Sequence, residues 1–341
     1  MAIRGGAVIA ALRPTACWLD EALAPLAPWL ARGDVSDLFI NRPGEVWVES
    51  VGGVLECLAV PALDEERLWL IARQVAAVSH QGIGRAHPLL AASLPDGARV
   101  QVVAPPATRG GMAIAIRKQA VRDMELGDYA AVGAFAGLNV EVGRGAPRPV
   151  FGDAVQVLAD PAGFLARAVQ GRANILVSGG TSTGKTCLLG ALLRAVPAHE
   201  RMVLIEDTPE LPQTHANSVG LVATRGLTGE AQVSTEDLLQ ASLRLRPDRI
   251  ILGEVRGGEA ASFLRAVNTG HAGSLTSIHA DSPEGALEQL AMIVMQGGSR
   301  LSRGDILDYA RAVIDVIVQM ERQGGERRIS RIMLTRSEGQ V

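Results

Sequence analysis

Gly179-Gly180-Thr181-Ser182-Thr183-Gly184-Lys185-Thr186 reads G-x-x-x-x-G-K-[ST], directly after an apolar run and at the start of a helical one. That spacing builds a phosphate loop. Its glycines let backbone N–H groups curl around phosphate oxygens, and the helix N-terminus adds positive potential. Lys185 reaches the β- and γ-phosphates, the Thr186 hydroxyl ligates Mg2+, and Cys187 closes the phosphate-binding stretch. Gripping a triphosphate does not cleave it, so the ends of the other apolar runs matter. Met202–Ile205 is followed by Glu206-Asp207, Arg249–Leu252 by Gly253-Glu254-Val255-Arg256, and Ser274–Ile278 by His279. In an open parallel sheet the carboxyl ends of the strands share one edge with the ligand. Glu206 is the candidate to orient or deprotonate water, Glu254 to hold Mg2+ or its water shell, and His279 to steady the γ-phosphate. Within this set no cation besides Lys185 is evident to neutralise charge at the γ-phosphate. Arg99 and Arg117, on successive strands in the first third, are candidates for that role; an exposed polar sheet face is the plain alternative.

These residues need a scaffold. The last half alternates near-continuous apolar strands with helices, which indicates a mainly parallel sheet covered on both faces. Helices are expected at Lys185–Val196, Thr235–Leu245, Glu259–Val267 and Pro283–Gln296, and a last strand at Ile314–Met320, with Gly324-Gly325 turning a final hairpin into Arg327–Leu334. The first third reads as a smaller mixed α/β domain. Ser36–Ile40, Glu45–Ser50 and Val54–Val60 are short strands, and Leu68, Ile71, Val75 and Val78 stripe a helix over Asp64–Ser79. Pro95-Asp96-Gly97 turns a hairpin between Leu89–Leu94 and Ala98–Val103, and Met112–Lys118 is a further strand. Periodicity fades from 119 to 152 into Gly, Ala and Pro. The expected organisation is therefore an N-terminal α/β domain over 15–118, a linker over 119–152, and a P-loop domain over 153–341.

Composition narrows the function. The chain has 341 residues, enough for about two domains. Hydrophobic residues make up 48% and charged residues 20%, which excludes disorder and fibrous repeats. No apolar run approaches the roughly 18 residues of a spanning helix. A net charge of −3 and 3% aromatic residues argue against a dedicated nucleic-acid binder. The three cysteines form no C-x-x-C pair, which fits a reducing compartment. The leader-like start is interrupted by Arg13-Pro14, and the chain reads as cytoplasmic.

Taken in order, the segments DLFINRPGEVWV (37–48), 96–103 with Ile116-Arg117-Lys118, the phosphate loop, IEDTPE (205–210), LRPDRIILGEVRGGE (245–259) and NTGHAGSLTSIHADSP (268–283) resemble one family. It is the type IV secretion traffic ATPases, the eleventh VirB component and its TrbB relatives. The resemblance implies a RecA-like P-loop domain, ATP with Mg2+, a ring of six, and binding of ATP between the two domains. It also implies a place at the cytoplasmic face of the inner membrane, peripheral rather than embedded. The partners implied are other secretion subunits, namely inner-membrane channel components and a coupling protein, with no sequence-specific nucleic acid. The work implied is substrate export and pilus assembly. Residue by residue, Glu206 matches the glutamate of the family's Asp box, Glu254 that of its Walker B region and His279 the histidine of its His box. Arg99 and Arg117 match arginines of the N-terminal domain that reach phosphates. Cys187 stands where a second Thr is common and Ala272 where the His box has Pro. A pilus-retraction motor, a RecA-like helicase and a nucleotide-gated ring scaffold with little hydrolysis are the alternative readings.

Overall fold

The computed structural model describes residues 14–50, 53–118, 124–143, 153–223, 232–324 and 326–335. The chain divides into two compact units near residue 120. The leader-like segment before Pro14, most of the expected linker's two ends (119–123 and 144–152) and Gly325 lie outside the described residues.

The first unit contains α1 (Pro14–Leu23), α2 (Ala27–Leu30), β1 (Val35–Ile40), β2 (Glu45–Ser50), β3 (Leu55–Ala59), α3 (Glu65–Val78), β4 (Leu89–Ser93), β5 (Arg99–Val103) and β6 (Ala113–Arg117). The strands form one antiparallel sheet in the order β3-β2-β1-β6-β5-β4. The Asp64 carboxylate starts α3 by accepting the Arg67 N–H at 2.8 Å. The buried face of α3 (Leu68, Ile71, Val75) packs with Leu19 and Leu26 on Leu38, Val46, Val100, Ile114 and Ile116. One sheet face is therefore filled, and alternation turns Arg99 and Arg117 to the other. Among the described residues α1 begins at Pro14.

The second unit runs α4 (Leu126–Ala131), β7 (Asn139–Val142), α5 (Ala154–Ala159), α6 (Pro161–Gln170), β8 (Ile175–Gly179), α7 (Lys185–Arg194), β9 (Met202–Glu206), β10 (Ser218–Val222), α8 (Thr235–Ser242), β11 (Arg249–Leu252), α9 (Glu259–Asn268), β12 (Leu275–Ile278), α10 (Pro283–Gln296), α11 (Arg303–Val313), β13 (Val316–Gln323) and β14 (Glu326–Leu334). Its sheet has the order β10-β9-β11-β12-β8-β13-β14-β7. The strands from β10 to β13 are mutually parallel, and β14 returns antiparallel to β13. Both faces are covered. Ile175, Val177, Met202 and Leu204 join one core with α6 and α7, while Leu176, Val203 and Ile205 join another with α9, α10 and α11.

The expected linker needs correction. Its described part belongs to this second unit: β7 pairs in parallel with β14, and Leu126 and Tyr129 are buried in its core. The four-residue β7, half polar, becomes a strand by pairing with the distant β14. Helices α5, α6 and α11 and strand β10 are also additions to what periodicity indicated.

Candidate phosphate-binding and hydrolytic site

The order β9-β11-β12-β8 sets four carboxyl ends side by side, so the polar residues expected after those strands share one edge. Short bonds clip the ends together. Gly253 N–H donates to Ile205 O at 2.9 Å, Val255 N–H to Ser277 O at 2.9 Å, and Ser277 Oγ to Gly253 O at 2.7 Å. Ala280 O accepts from Ser178 Oγ at 3.3 Å and from Gln319 Nε2 at 3.2 Å, which fixes the chain just past His279.

Between β8 and α7 the loop passes through left-handed backbone at Ser182 (φ 61°) and Gly184 (φ 98°). Such backbone is costly for a serine and marks a conformation imposed by its surroundings. Thr183 Oγ1 holds the turn by donating to Gly180 O at 2.9 Å. Lys185 Nζ folds back and donates to Gly179 O (2.9 Å) and Gly180 O (3.1 Å). Burial lowers the pKa of this ammonium; Glu254 opposes that, Arg256 adds to it, and Glu210 opposes it. Thr186 Oγ1 donates to Glu210 Oε2 at 3.0 Å.

Glu206 keeps its expected place at the end of β9, buried at 7% exposure. Its Oε1 accepts the backbone N–H groups of Glu210 and Leu211, both at 2.8 Å. Gly253 is pressed against it: a Cβ there would lie 3.3 Å from Glu206 Cγ. Glu206 therefore holds the turn that carries Glu210 to Thr186. Glu254 follows β11 and is paired with Arg256, whose Nε reaches Glu254 Oε2 at 2.9 Å. A second nitrogen of Arg256 lies 3.7 Å from Asp207 Oδ2, and Asp207 Oδ1 accepts from Thr235 Oγ1 at 3.1 Å. Burial would lower the Arg256 pKa, but Glu254 and the other acids raise it on balance. The Arg256 backbone is itself fixed, since its N–H donates to buried Glu259 at 2.8 Å. Arg256 is thus a second cation at this edge beside Lys185. The turn after β11 brings Arg256 back over two of its acids.

His279 sits exposed at the same edge, after β12. His271 lies at the other end of that strand, with Nδ1 3.1 Å from Pro247 O, a bond that anchors a turn. Arg99 and Arg117 are direct cross-strand partners on β5 and β6, and Asp37 on β1 is the next partner along, with Arg117 Nε 2.7 Å from Asp37 Oδ1. The two arginines therefore form one cluster on the first unit's sheet. Glu210 and Arg256 are the residues whose roles sequence reasoning passed over. Each was visible as the tail of a motif, IEDTPE and GEVR, and only the turn geometry sends them back to the loop.

The donor set suits Mg2+ held largely by nucleotide. Among the described residues no group of three or more His, Cys, Asp or Glu could hold a metal by itself. Thr186 and nearby carboxylates offer hard oxygen atoms of the kind Mg2+ takes, together with phosphate and water.

Residues 154–322 match the family described as Type II/IV secretion system protein. The type IV secretion system protein VirB11 of Bartonella henselae is 37% identical over 324 residues, covering 91% of each chain. Among solved structures, the VirB11 ATPase of the Brucella suis type IV secretion system, in complex with sulphate, is 36% identical with a TM-score of 0.50, covering 93% of this chain and 97% of that one. The pilus retraction motor PilT with bound ADP has a TM-score of 0.60 at 18% identity, covering 94% and 83%, and is alike in fold alone.

Proposed function

Because the chain belongs to the VirB11 family of type IV secretion ATPases, we propose that it works as a ring of six that hydrolyses MgATP to drive substrate export and pilus assembly. The single observation that carries the hydrolytic part is the gathering of Lys185, Thr186, Glu210, Glu254 and Arg256 at one strand edge beside the loop. Lys185 leaves the loop carbonyls to bind β- and γ-phosphate oxygens, and the backbone of residues 179–187 cradles the rest. Mg2+ would neutralise phosphate charge when bound, and Thr186 and Glu254 are the residues that would hold it or its water shell. Glu254 and Glu210 both act electrostatically on Lys185, and Glu210 is bonded to Thr186, so these two are assigned the orienting of water and metal. Glu206 then acts as a positioning residue that delivers Glu210. Arg256 balances Glu254 and Asp207 until phosphate charge arrives, and His279 steadies the γ-phosphate. Arg99 and Arg117 supply positive charge from the first unit. The chain works at the cytoplasmic face of the inner membrane with channel components and a coupling protein as partners; no described helix is long and apolar enough to cross a bilayer.

The test is turnover and light scattering on the purified protein with and without MgATP. Wild type forms a closed ring and releases phosphate. Lys185→Ala loses nucleotide binding, and Glu254→Gln binds ATP but turns over at least about 100-fold more slowly, roughly 3 kcal/mol of transition-state stabilisation. A strict monomer in every condition, or Glu254→Gln at wild-type rate, sinks the reading.

A further inference from the structure

We propose that Arg327, on β14, is a nucleotide anchor acting at the α/β-phosphate end of the loop. The proposal rests on the reading of 179–187 as a nucleotide site. Arg327 Nε donates to Ser182 O at 3.3 Å. Its stem lies over Gly184, where a Cβ would meet Arg327 Cδ at 3.1 Å. The guanidinium is thus held against the two residues whose left-handed backbone shapes the loop. It lies on the Cys187 flank. Burial pushes the Tyr129 hydroxyl up, Cys187 adds to that and Arg327 works against it, so the three share one neighbourhood. Glu254, Arg256 and Glu210 instead act on Lys185, at the β/γ end.

Charge makes the second argument. Register places Arg327 directly opposite Arg322 on β13, so two cations share one face of the hairpin. Like charges directly opposite destabilise a strand pair. One register step away Arg328 is paired with Glu321, and further along Arg331 is paired with Glu141. Among the described residues no carboxylate pairs with Arg327 or Arg322. A guanidinium has a rigid fork of donors suited to phosphate oxygens. With Nε on Ser182 O, the two terminal nitrogens of Arg327 are left for an anion. The loop is where the anion comes.

A contact to phosphates shared by ATP and ADP is uniform binding: it sets KM and leaves kcat alone. The experiment is titration of ATP and ADP into the full-length protein, with steady-state turnover, for Arg327→Gln, Arg327→Lys, Arg322→Ala and the Lys185→Ala control. Gln keeps a donor for Ser182 O and removes the charge; Lys keeps the charge. The expected result for Arg327→Gln is about tenfold weaker binding of both ATP and ADP, with KM raised and kcat within about twofold. Arg327→Lys stays within about threefold of wild type, and Arg322→Ala shows a smaller loss of the same kind. Wild-type affinity in Arg327→Gln reduces Arg327 to a brace for the loop and overturns the proposal. A loss confined to ATP places the contact at the γ-phosphate and overturns it too. If Lys185→Ala binds nucleotide normally, the reading beneath falls instead.

Discussion

Glu206, on the reading proposed above, holds a turn rather than touching the reaction. Two backbone N–H groups converge on one of its oxygens, and leaving such donors unsatisfied in a buried turn costs about 1–3 kcal/mol. Glutamine keeps an oxygen acceptor in the same place; alanine does not. Glu206→Gln is therefore expected to keep kcat within about fivefold of wild type, whereas Glu206→Ala frees the 207–211 turn and lowers kcat about 10- to 100-fold. Steady-state turnover checks this, with Glu210→Ala alongside as the variant that Glu206→Ala resembles. If Glu206→Gln falls as far as Glu206→Ala, the negative charge of Glu206 itself acts on water. Sequence reasoning singled out Glu206 because it stands at the strand end, and passed over Glu210. The structure makes the later acid the partner of Thr186, for a reason no spacing rule contains: the intervening turn folds back on a carboxylate.

At the scale of elements, the strands that hold the site were the most legible part of the chain. Runs such as Met202–Ile205 and Arg249–Leu252 are buried throughout, so their apolar character is dictated from both faces. Elements that depend on distant partners were opaque. Asn-Val-Glu-Val at β7 is half polar and becomes a strand by pairing with β14, far along the sequence. Helix α11 had a local signal, the Ser302/Asp305 capping box, but its charged surface weakens the periodicity. At the edge opposite the phosphate loop a buried ion pair ties the sheet together: Arg249, fully buried, holds Glu200, and Arg172 reaches the same acid at 3.3 Å. Burial alone would raise the Glu200 pKa, but Arg249 and Arg172 outweigh it and lower it from the ordinary 4.5. A carboxylate with a lowered folded pKa contributes stability that is fully present above its unfolded value and is lost as pH falls through the folded one. Glu200→Ala, which strands Arg249, is expected to cost about 3–5 kcal/mol in urea unfolding at pH 7. Glu200→Gln is expected to be less stable than wild type at pH 7, the gap closing only as pH drops below the ordinary carboxylate range. A gap that stays constant down to pH 3 removes Glu200 from the stability account.

The whole molecule raises a question that neither unit answers alone. The phosphate loop lies in the second unit, while Arg99 and Arg117 stand together on the sheet of the first. If those arginines reach phosphate in the ring proposed above, they serve either their own subunit's nucleotide or a neighbour's, and mixing two inactive variants separates the cases. Arg117→Ala keeps an intact loop and lacks the arginine; Lys185→Ala keeps the arginine and lacks the loop lysine. If the arginine acts across a subunit boundary, random co-assembly restores a complete site wherever an Arg117→Ala loop meets a Lys185→Ala neighbour, about one boundary in four. Phosphate release by the mixture then rises well above that of either variant alone, to an appreciable fraction of wild type. If the arginine acts within its own subunit, no mixed ring contains a complete site and the mixture stays as inactive as its parts. The comparison needs exchange between rings, so the variants are unfolded and refolded together, and the light-scattering mass confirms that rings re-form. Recovery places the positive charge across a boundary, which makes hydrolysis at one site depend on the position of the next subunit and supplies the ring with a physical means of coordinating its strokes. No recovery assigns the charge to the same chain and leaves coordination to be carried by the packing of neighbouring subunits.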